Sequence, residues 1–280
     1  MIGFIADYEF VWGFQARIVG LSKTSPSFFY PPPTTFLGAL AETIAKENNI
    51  GEKKGTEIVS EISRNLCAIG FRALNCVPLK YSDINRIITI RKTGAKDKRT
   101  GKDIQILAPH LEYLDKSFDS PARGKTILSS LDGNAPTIRW FLVFKESTMN
   151  FNGKKIEVEE DLFWKIHRVG SKESRVSAVN VEKVAVEIRE GIVRTTYSFP
   201  ADFGIKEIHS TPRWDFEVYM NPYVHEHRDP ISSYLSGKKA IPFRVPILKD
   251  PLNPPEFRVK LESNYVAYSA NGETVVGCRK

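Results

Sequence analysis

The sequence predicts an α+β chain with a βαββαβ element order, interrupted by a basic β-hairpin and followed by a small, mainly-β part. Three observations carry this. The opening stretch alternates strictly, two stretches of helical spacing each lead into a strand-like run, and the character changes beyond Gly191, where nine of the 17 prolines lie. The 280 residues make one large domain or two modest ones, and we place the division at residue 190, giving 1–190 and 191–280.

In the opening strand Ile2, Phe4, Ala6, Tyr8, Phe10, Trp12 and Phe14 fall on one side, with Asp7, Glu9 and Gln15 on the other. Pro31 to Pro33 then force extended backbone up to Thr34, a good N-cap, and Phe36, Leu37, Leu40 and Ile44 follow with helical spacing to about Asn48–Gly51. A second amphipathic piece, Ile58, Val59, Ile62 and Leu66, leads into a short strand from Cys67 to Leu74. Next comes the hairpin, at about residues 80–107: Ile84 to Ile90 and Ile104 to Ala108 are rich in β-branched residues around Thr93-Gly94 and Thr100-Gly101. Asp115 to Pro136 mixes Ser, Asp, Gly and Pro and reads as a surface loop; Thr137 to Lys145 is a buried strand. Glu159 to His167 is a short helix, and Val176 to Ile188 returns to strand. With the hairpin left out, this is the order of a ferredoxin-like (RRM-like) unit, an antiparallel sheet with both helices on one face, which hosts many activities and names none. Trp214 to Met220 and Phe257 to Tyr265 supply short alternating runs of the C-terminal part.

Composition narrows the class. Apolar residues at 41% and charged residues at 26%, with a mean hydropathy of −0.27, exclude disordered and collagen-like chains. No apolar run approaches the ~20 residues that span a bilayer, and the start lacks a basic n-region before an apolar h-region, so a cytoplasmic protein is expected. Cys67, Cys76 and Cys278 have no CxxC spacing and read as inert thiols rather than a disulfide framework or zinc site. The net charge is +7, and Lys80 to Lys102 holds eight basic residues against Asp83 and Asp97, a surplus of six. Repelling cations concentrated on one arm suit a polyanion, although a solvated loop would also carry them.

HRVGSKESRVS, from His167 to Ser177, sets Gly170 among Arg168, Lys172 and Arg175. Backbone N–H groups at such a glycine can approach a phosphate oxygen, with Ser171 and Ser174 adding hydroxyls; a helix C-cap glycine before a polar turn fits equally. No Walker pattern and no RNA-recognition signature around Trp12-Gly13-Phe14 or Gly70-Phe71 is present. His225 and His227, two apart, lack a third ligand at a recognisable spacing, so no metal and no cofactor are expected; His110 and His209 add none. A metal-independent ribonuclease could use His167 with Lys165, or Tyr30, while Tyr30 could equally stack on a base or pack beside Pro31.

Three features coincide: the stretch SFFYPPPTTFLGAL from Ser27 to Leu40, the basic arm, and VGSKES from Val169 to Ser174. Together they resemble the fifth family of CRISPR-associated proteins in its type I-A (Apern) form, within the RAMP superfamily, over the first ~190 residues. The resemblance implies a ferredoxin-like domain with a thumb hairpin at Ile84 to Ile104 and a glycine-rich loop at Gly170 to Ser174. It implies a non-catalytic subunit that caps the 5′ handle of crRNA in a Cascade complex, beside backbone subunits of Cas family seven and a large subunit, reaching target DNA only through the complex. Its RNA contacts would be Tyr30, Arg91, Lys92, Lys96, Lys98, Arg99 and Lys102, then Arg168, Gly170, Ser171, Lys172, Ser174 and Arg175. One branch of the family cuts precursor RNA with a tyrosine and an adjacent Lys-His pair; Tyr30 matches by context, but no Lys-His dipeptide occurs in this chain. The alternatives are a metal-independent endoribonuclease using Tyr30, His167 and Lys165, and an assembly protein whose arm fits an acidic groove.

Overall fold

A computed structural model of the protein describes residues 1–16, 27–83, 87–88, 92–96, 99–101, 103–105, 118–119, 123–211, 213–224, 234–262 and 264–280. The opening alternation is broken in two: β1 (Ile2–Phe10) stops at Val11–Trp12 and β2 (Gly13–Phe14) follows. Helix α1 (Pro33–Glu47) begins on Pro33, with Pro32 and not Thr34 at the N-cap, because a proline's fixed φ suits the first helical position. The N–H groups of Thr35 and Phe36 both turn back to the Pro32 carbonyl. Helix α2 (Gly55–Asn65) and β3 (Leu66–Ala73) come next.

The inserted segment is larger than its β-branched flanks suggest. Strand β4 (Cys76–Asp83) leads out, β5 (Ile87–Ile88), β6 (Lys92–Lys96), β7 (Asp103–Gln105) and β8 (Phe118–Asp119) follow, and β9 (Arg123–Ser130) leads back. Residues 123–130, expected as loop, pair with β4 from Cys76↔Ser130 to Asp83↔Arg123. The composition hides this because the inward positions of β9 are Thr126 and Leu128, only one of them a strong apolar signal. Ile87–Ile88 pairs with Phe118–Asp119 rather than with Ile104 onward, while β6 and β7 do form a hairpin, Lys92↔Gln105 and Lys96↔Asp103.

Strand β10 (Thr137–Phe144) then enters the centre of the molecule, followed by β11 (Thr148–Phe151), β12 (Lys154–Glu157), the short helix α3 (Glu160–Trp164) and β13 (Val176–Val184). The remainder is β14 (Glu187–Arg189), β15 (Ile192–Thr195), β16 (Phe199–Pro200), β17 (Ile205–Ser210), β18 (Trp214–Met220), β19 (Ala240–Pro246), β20 (Phe257–Leu261), β21 (Tyr265–Ala270) and β22 (Glu273–Cys278). The main sheet is antiparallel, in the order β13-β1-β10-β3-β22-β21-β14. Strands from both sides of residue 190 therefore share it, with Gly277 of β22 set against Ala68 of β3.

The two edge strands of this sheet, β13 and β14, are joined by only Ala185 and Val186. Three consecutive Cα–Cα steps reach at most ~11 Å, so the sheet must curl until its edges meet. Asn271, at the β21–β22 turn, donates to Glu182 of β13 across that closure. The curl divides β1 by parity. Phe4, Ala6 and Tyr8 face the helices in a cluster with Phe36, Leu40 and Trp140, where Phe36 stacks on Trp140 at 4.3 Å; Ile5 faces the inside of the curl with Phe141, Tyr197 and Val275. Asp7, on the side opposite Phe4 and Tyr8, is also inside and buried, because both faces of the sheet are covered. Its carboxylate takes a bidentate pair of bonds from Arg139 at 2.6 and 2.7 Å, and Arg139 and Arg72 both donate to Glu273, tying β1, β10, β3 and β22 together. Burial pushes the Cys76 thiol up to about 12 and the Cys278 thiol up to about 11, so both stay protonated near neutrality. Among the described residues no helix is long and apolar enough to cross a membrane.

A Cβ on Gly277 would lie 2.2 Å from the Cys67 carbonyl oxygen, whereas one on Gly55 would meet nothing within 4 Å. Gly277→Ala is expected to lower stability by about 1–3 kcal/mol in urea unfolding, the scale of overpacking, with Gly55→Ala near neutral. Equal midpoints for the two variants would contradict the seating of β22 on β3.

Candidate nucleic-acid interface

The glycine loop is built by the short run between α3 and β13. The N–H of Val176 returns to the His167 carbonyl, and Arg168 and Arg175 form a backbone bridge, so the loop closes on its own base. Gly170 has φ +118°, and a Cβ there would sit 3.0 Å from Ser174 Oγ and 3.1 Å from the Gln15 carbonyl. Glycine is required at this position on both counts. The loop is docked on the segment after β1. Ser171 N–H donates to the Gln15 carbonyl, Gln15 N–H donates to Ser174 Oγ at 2.9 Å, and Trp12 Nε1 donates to the Glu173 carbonyl.

That docking sorts the expected contacts. Ser174 is fully buried and its hydroxyl is engaged by Gln15, so it holds the loop and cannot reach a phosphate. Ser171 Oγ bonds Glu173 Oε2 at 3.0 Å. Arg168 is paired with Glu42 at 2.9 Å, facing the groove of about 630 Å³ between α1 and α2. Burial would raise the Glu42 carboxyl, but bonds from Lys46 and Arg168 outweigh it and hold it below its ordinary value. Lys172 and Arg175 are exposed; Lys172 has only a long 3.7 Å contact to Glu173, and Arg175 has no ion pair among the described residues. The loop thus presents Lys172 and Arg175 outward.

The root of the basic arm meets the same segment from its other side. Gly13 and Phe14 pair with Ile127 and Thr126 of β9, which carries β4. Trp12 to Gln15 is therefore shared by the loop and the arm. Lys92 and Lys96 lie on the β6–β7 hairpin and Arg99 at its turn; Arg91, Lys98 and Lys102 lie outside the described residues, as do His110, His225 and His227. Lys80 is engaged within the fold. Its Nζ lies 3.5 Å above the Phe29 ring and 3.1 Å from Glu217.

Tyr30 is not a surface residue. It is fully buried, with Phe71 against its ring and its hydroxyl donating to the Pro246 carbonyl at 2.5 Å. Burial removes its ring as a stacking platform and pushes its phenol well above the ordinary range, so it stays protonated and is no proton acceptor near neutrality. Of the two roles open to Tyr30, stacking on a base and packing within the protein, it takes the second. Lys165 is paired with Glu47 at 2.9 Å, and His167 is exposed with Nδ1 3.5 Å from the Lys165 carbonyl. Among the described residues no group of His, Cys, Asp and Glu is placed to hold a metal.

Sequence reasoning missed Glu217, which is 5% exposed. It accepts Phe29 N–H at 2.8 Å and the Tyr219 hydroxyl at 2.5 Å and pairs with Lys80, so a residue of the C-terminal part anchors the arm's root. No spacing marks it; only its inward register beside Tyr219 on β18 does.

Two outcomes test this geometry. Ser174→Ala strands the Gln15 N–H and is expected to cost about 1–3 kcal/mol, with faster amide exchange at Gln15. Burial raises the Glu217 carboxyl above 4.5, more than Tyr219, Phe29 and Lys80 lower it. The fold then binds this proton more tightly than the unfolded chain, so its stabilisation is full below 4.5 and is lost as pH rises through the folded value. Relative to Glu217→Gln, the wild-type chain should gain melting temperature as pH falls from 7 toward 4.5; a pH-independent difference would contradict the assignment.

No family model matches the chain. A Saccharolobus solfataricus protein named CRISPR system aCascade subunit Cas5 1 is 25% identical over 268 residues, 95% of each chain. CRISPR-associated protein Cas5 2 of the same organism is 26% identical over 196 residues, 68% of this chain, which spans 65% of that relative's length. A solved structure described as a CRISPR protein from Archaeoglobus fulgidus is 52% identical, covers all of both chains and superposes with a TM-score of 0.73.

Proposed function

The chain belongs to the Cas5 family of CRISPR-associated proteins, and from that premise we propose that it is a non-catalytic RNA-binding subunit of a type I-A Cascade complex. In this reading the chain works in the cytoplasm, holds the 5′ handle of crRNA between the glycine loop and the basic arm, and docks against the backbone subunits of Cas family seven. It acts on target DNA only through the complex. The strand order β13-β1-β10-β3, crossed by α1 and α2 on one connection and α3 on the other, is read as the ferredoxin-like unit, with residues 191–280 as its β-rich addition.

One observation carries the proposal: loop and arm root are fastened to opposite sides of Trp12–Gln15, with Lys172 and Arg175 facing outward there. A pinned loop with outward cations binds phosphate without a large ordering cost, since its backbone is already fixed. In this reading the hairpin cations neutralise further phosphates and release counterions. Support for binding without cleavage comes from Tyr30, whose burial leaves His167 and Lys165 without the third member of a cutting set.

Single-strand binding loses about 0.7 log unit of affinity per decade of salt for each neutralised phosphate. The double variant Lys172→Ala/Arg175→Ala is expected to flatten the slope by about 1.4 on handle-containing RNA, with melting temperature unchanged because both side chains are exposed. An unaltered slope would remove the loop from the interface. Incubation of wild-type protein with repeat RNA in EDTA should leave the RNA intact; specific cuts abolished by His167→Ala would establish an endoribonuclease instead.

A further inference from the structure

The small sheet of β15, β20 and β17, with β20 at its centre, has one face in the protein and one in water. Val193, Ile205, Phe257, Val259 and Leu261 point inward and pack in one cluster with Tyr265 and Val276. The outward positions are Ile192 and Arg194 on β15, Arg258 and Lys260 on β20, and Lys206 and His209 on β17, all of them exposed. Ile208 is taken up by a bulge between Glu207 and His209. Glu207 itself stands opposite the inward Val259 and bonds Arg244 of β19 at 2.6 and 2.8 Å, so it does not serve this face.

The register sets cation against cation. Arg194 lies directly opposite Arg258 and Lys206 directly opposite Lys260, while His209 is the other neighbour of Arg258. Like charges directly opposite on one face weaken a strand pair, and a merely solvated face intersperses the two signs. Here no outward strand position is acidic. The two carboxylates that reach these cations come from just beyond the ends of β20, Glu256 at 3.5 Å from Arg194 and Glu262 at 2.6 Å from Lys206. The central strand gains little from them: Arg258 and Lys260 make no ion pair among the described residues, and Lys260 acts on Glu262 only at longer range. Four cations thus meet two carboxylates, and the uncompensated pair occupies the middle.

The class of partner follows from this placement. The centre of a protein–protein interface is depleted of charge and enriched in aromatic rings, whereas this face has cations at its centre and no aromatic residue at an outward strand position. Single-stranded nucleic acid is held largely by stacking of its bases on aromatic rings, and the face offers no such platform. Phosphates of a duplex need only the charge. Neighbouring strands set the cations about 4.8 Å apart, and Arg258 and Lys260 follow one another at about 6.6 Å along β20, a flat array that contacts backbone without reading bases.

We propose that the outward face of β15, β20 and β17 is a second nucleic-acid site, which takes the phosphate backbone of a duplex on Arg194, Arg258, Lys260 and Lys206. It shares no residue with the glycine loop or the arm and does not rest on the handle reading.

The test is the salt dependence of binding of the full chain to a short blunt duplex, in DNA and in RNA form. Duplex DNA loses about 0.9 log unit of affinity per decade of salt for each neutralised phosphate. Arg258→Gln/Lys260→Gln is expected to flatten that slope by about 1.8, with no loss of melting temperature, because both side chains are exposed and face like charge. The control Lys154→Gln/Lys155→Gln removes two exposed cations from the separate β11–β12 hairpin and should leave the slope unchanged. A response confined to one duplex form identifies the phosphates as those of DNA or of RNA, and either supports the proposal. An unaltered slope in Arg258→Gln/Lys260→Gln, an equal flattening in the control, or displacement by polyglutamate as readily as by duplex at equal charge, the mark of an acidic protein surface, would each overturn it. Handle-containing single-stranded RNA is titrated alongside. Its failure to bind, with the duplex result intact, would count against the handle reading and leave this face standing.

Discussion

The bond between Gln15 N–H and Ser174 Oγ, made possible by the absence of a side chain at Gly170, is the contact on which the candidate interface depends. It joins a loop near residue 170 to the segment leaving the first strand, and that segment also carries the root of the inserted arm. Without it the loop's cations would be placed by a flexible connection, and the entropy of ordering them would fall on the binding step. With it, the backbone is arranged before any ligand arrives.

The curl of the main sheet makes that arrangement possible. Two residues between opposite edge strands force closure, and closure covers both faces of β1, which is why Asp7 is buried and must be matched by Arg139. A buried carboxylate is tolerated only when it is paired and hydrogen-bonded, and Glu273 adds one further bond from each of Arg139 and Arg72. The C-terminal strand that supplies Glu273 is thereby part of the same sheet as the N-terminal one. Glu217 repeats the pattern on a smaller scale, linking β18 to Phe29 and Lys80.

The alternation of Ile2 to Phe10, the helical spacing of Phe36 to Ile44 and the run from Thr137 to Phe144 were legible because burial periodicity is local. Strand β9 was not, since Thr126 fills an inward position by hydrogen bonding within the fold rather than by apolar character. The glycine loop was legible as a cationic turn around a glycine. Which of its members face outward was not: Ser174 and Arg168 are as polar as Lys172 and Arg175, and only their partners, Gln15 and Glu42, withdraw them.

The sequence by itself determined the first strand, the first helix, the central strand from Thr137 and the surplus of cations between Lys80 and Lys102, because each follows from side-chain spacing or charge. The tertiary structure alone decided that Tyr30 belongs to the core and that Glu217 holds the arm's root. Those outcomes depend on contacts between residues up to about two hundred positions apart, and no local pattern specifies which distant groups a closing sheet will bring together.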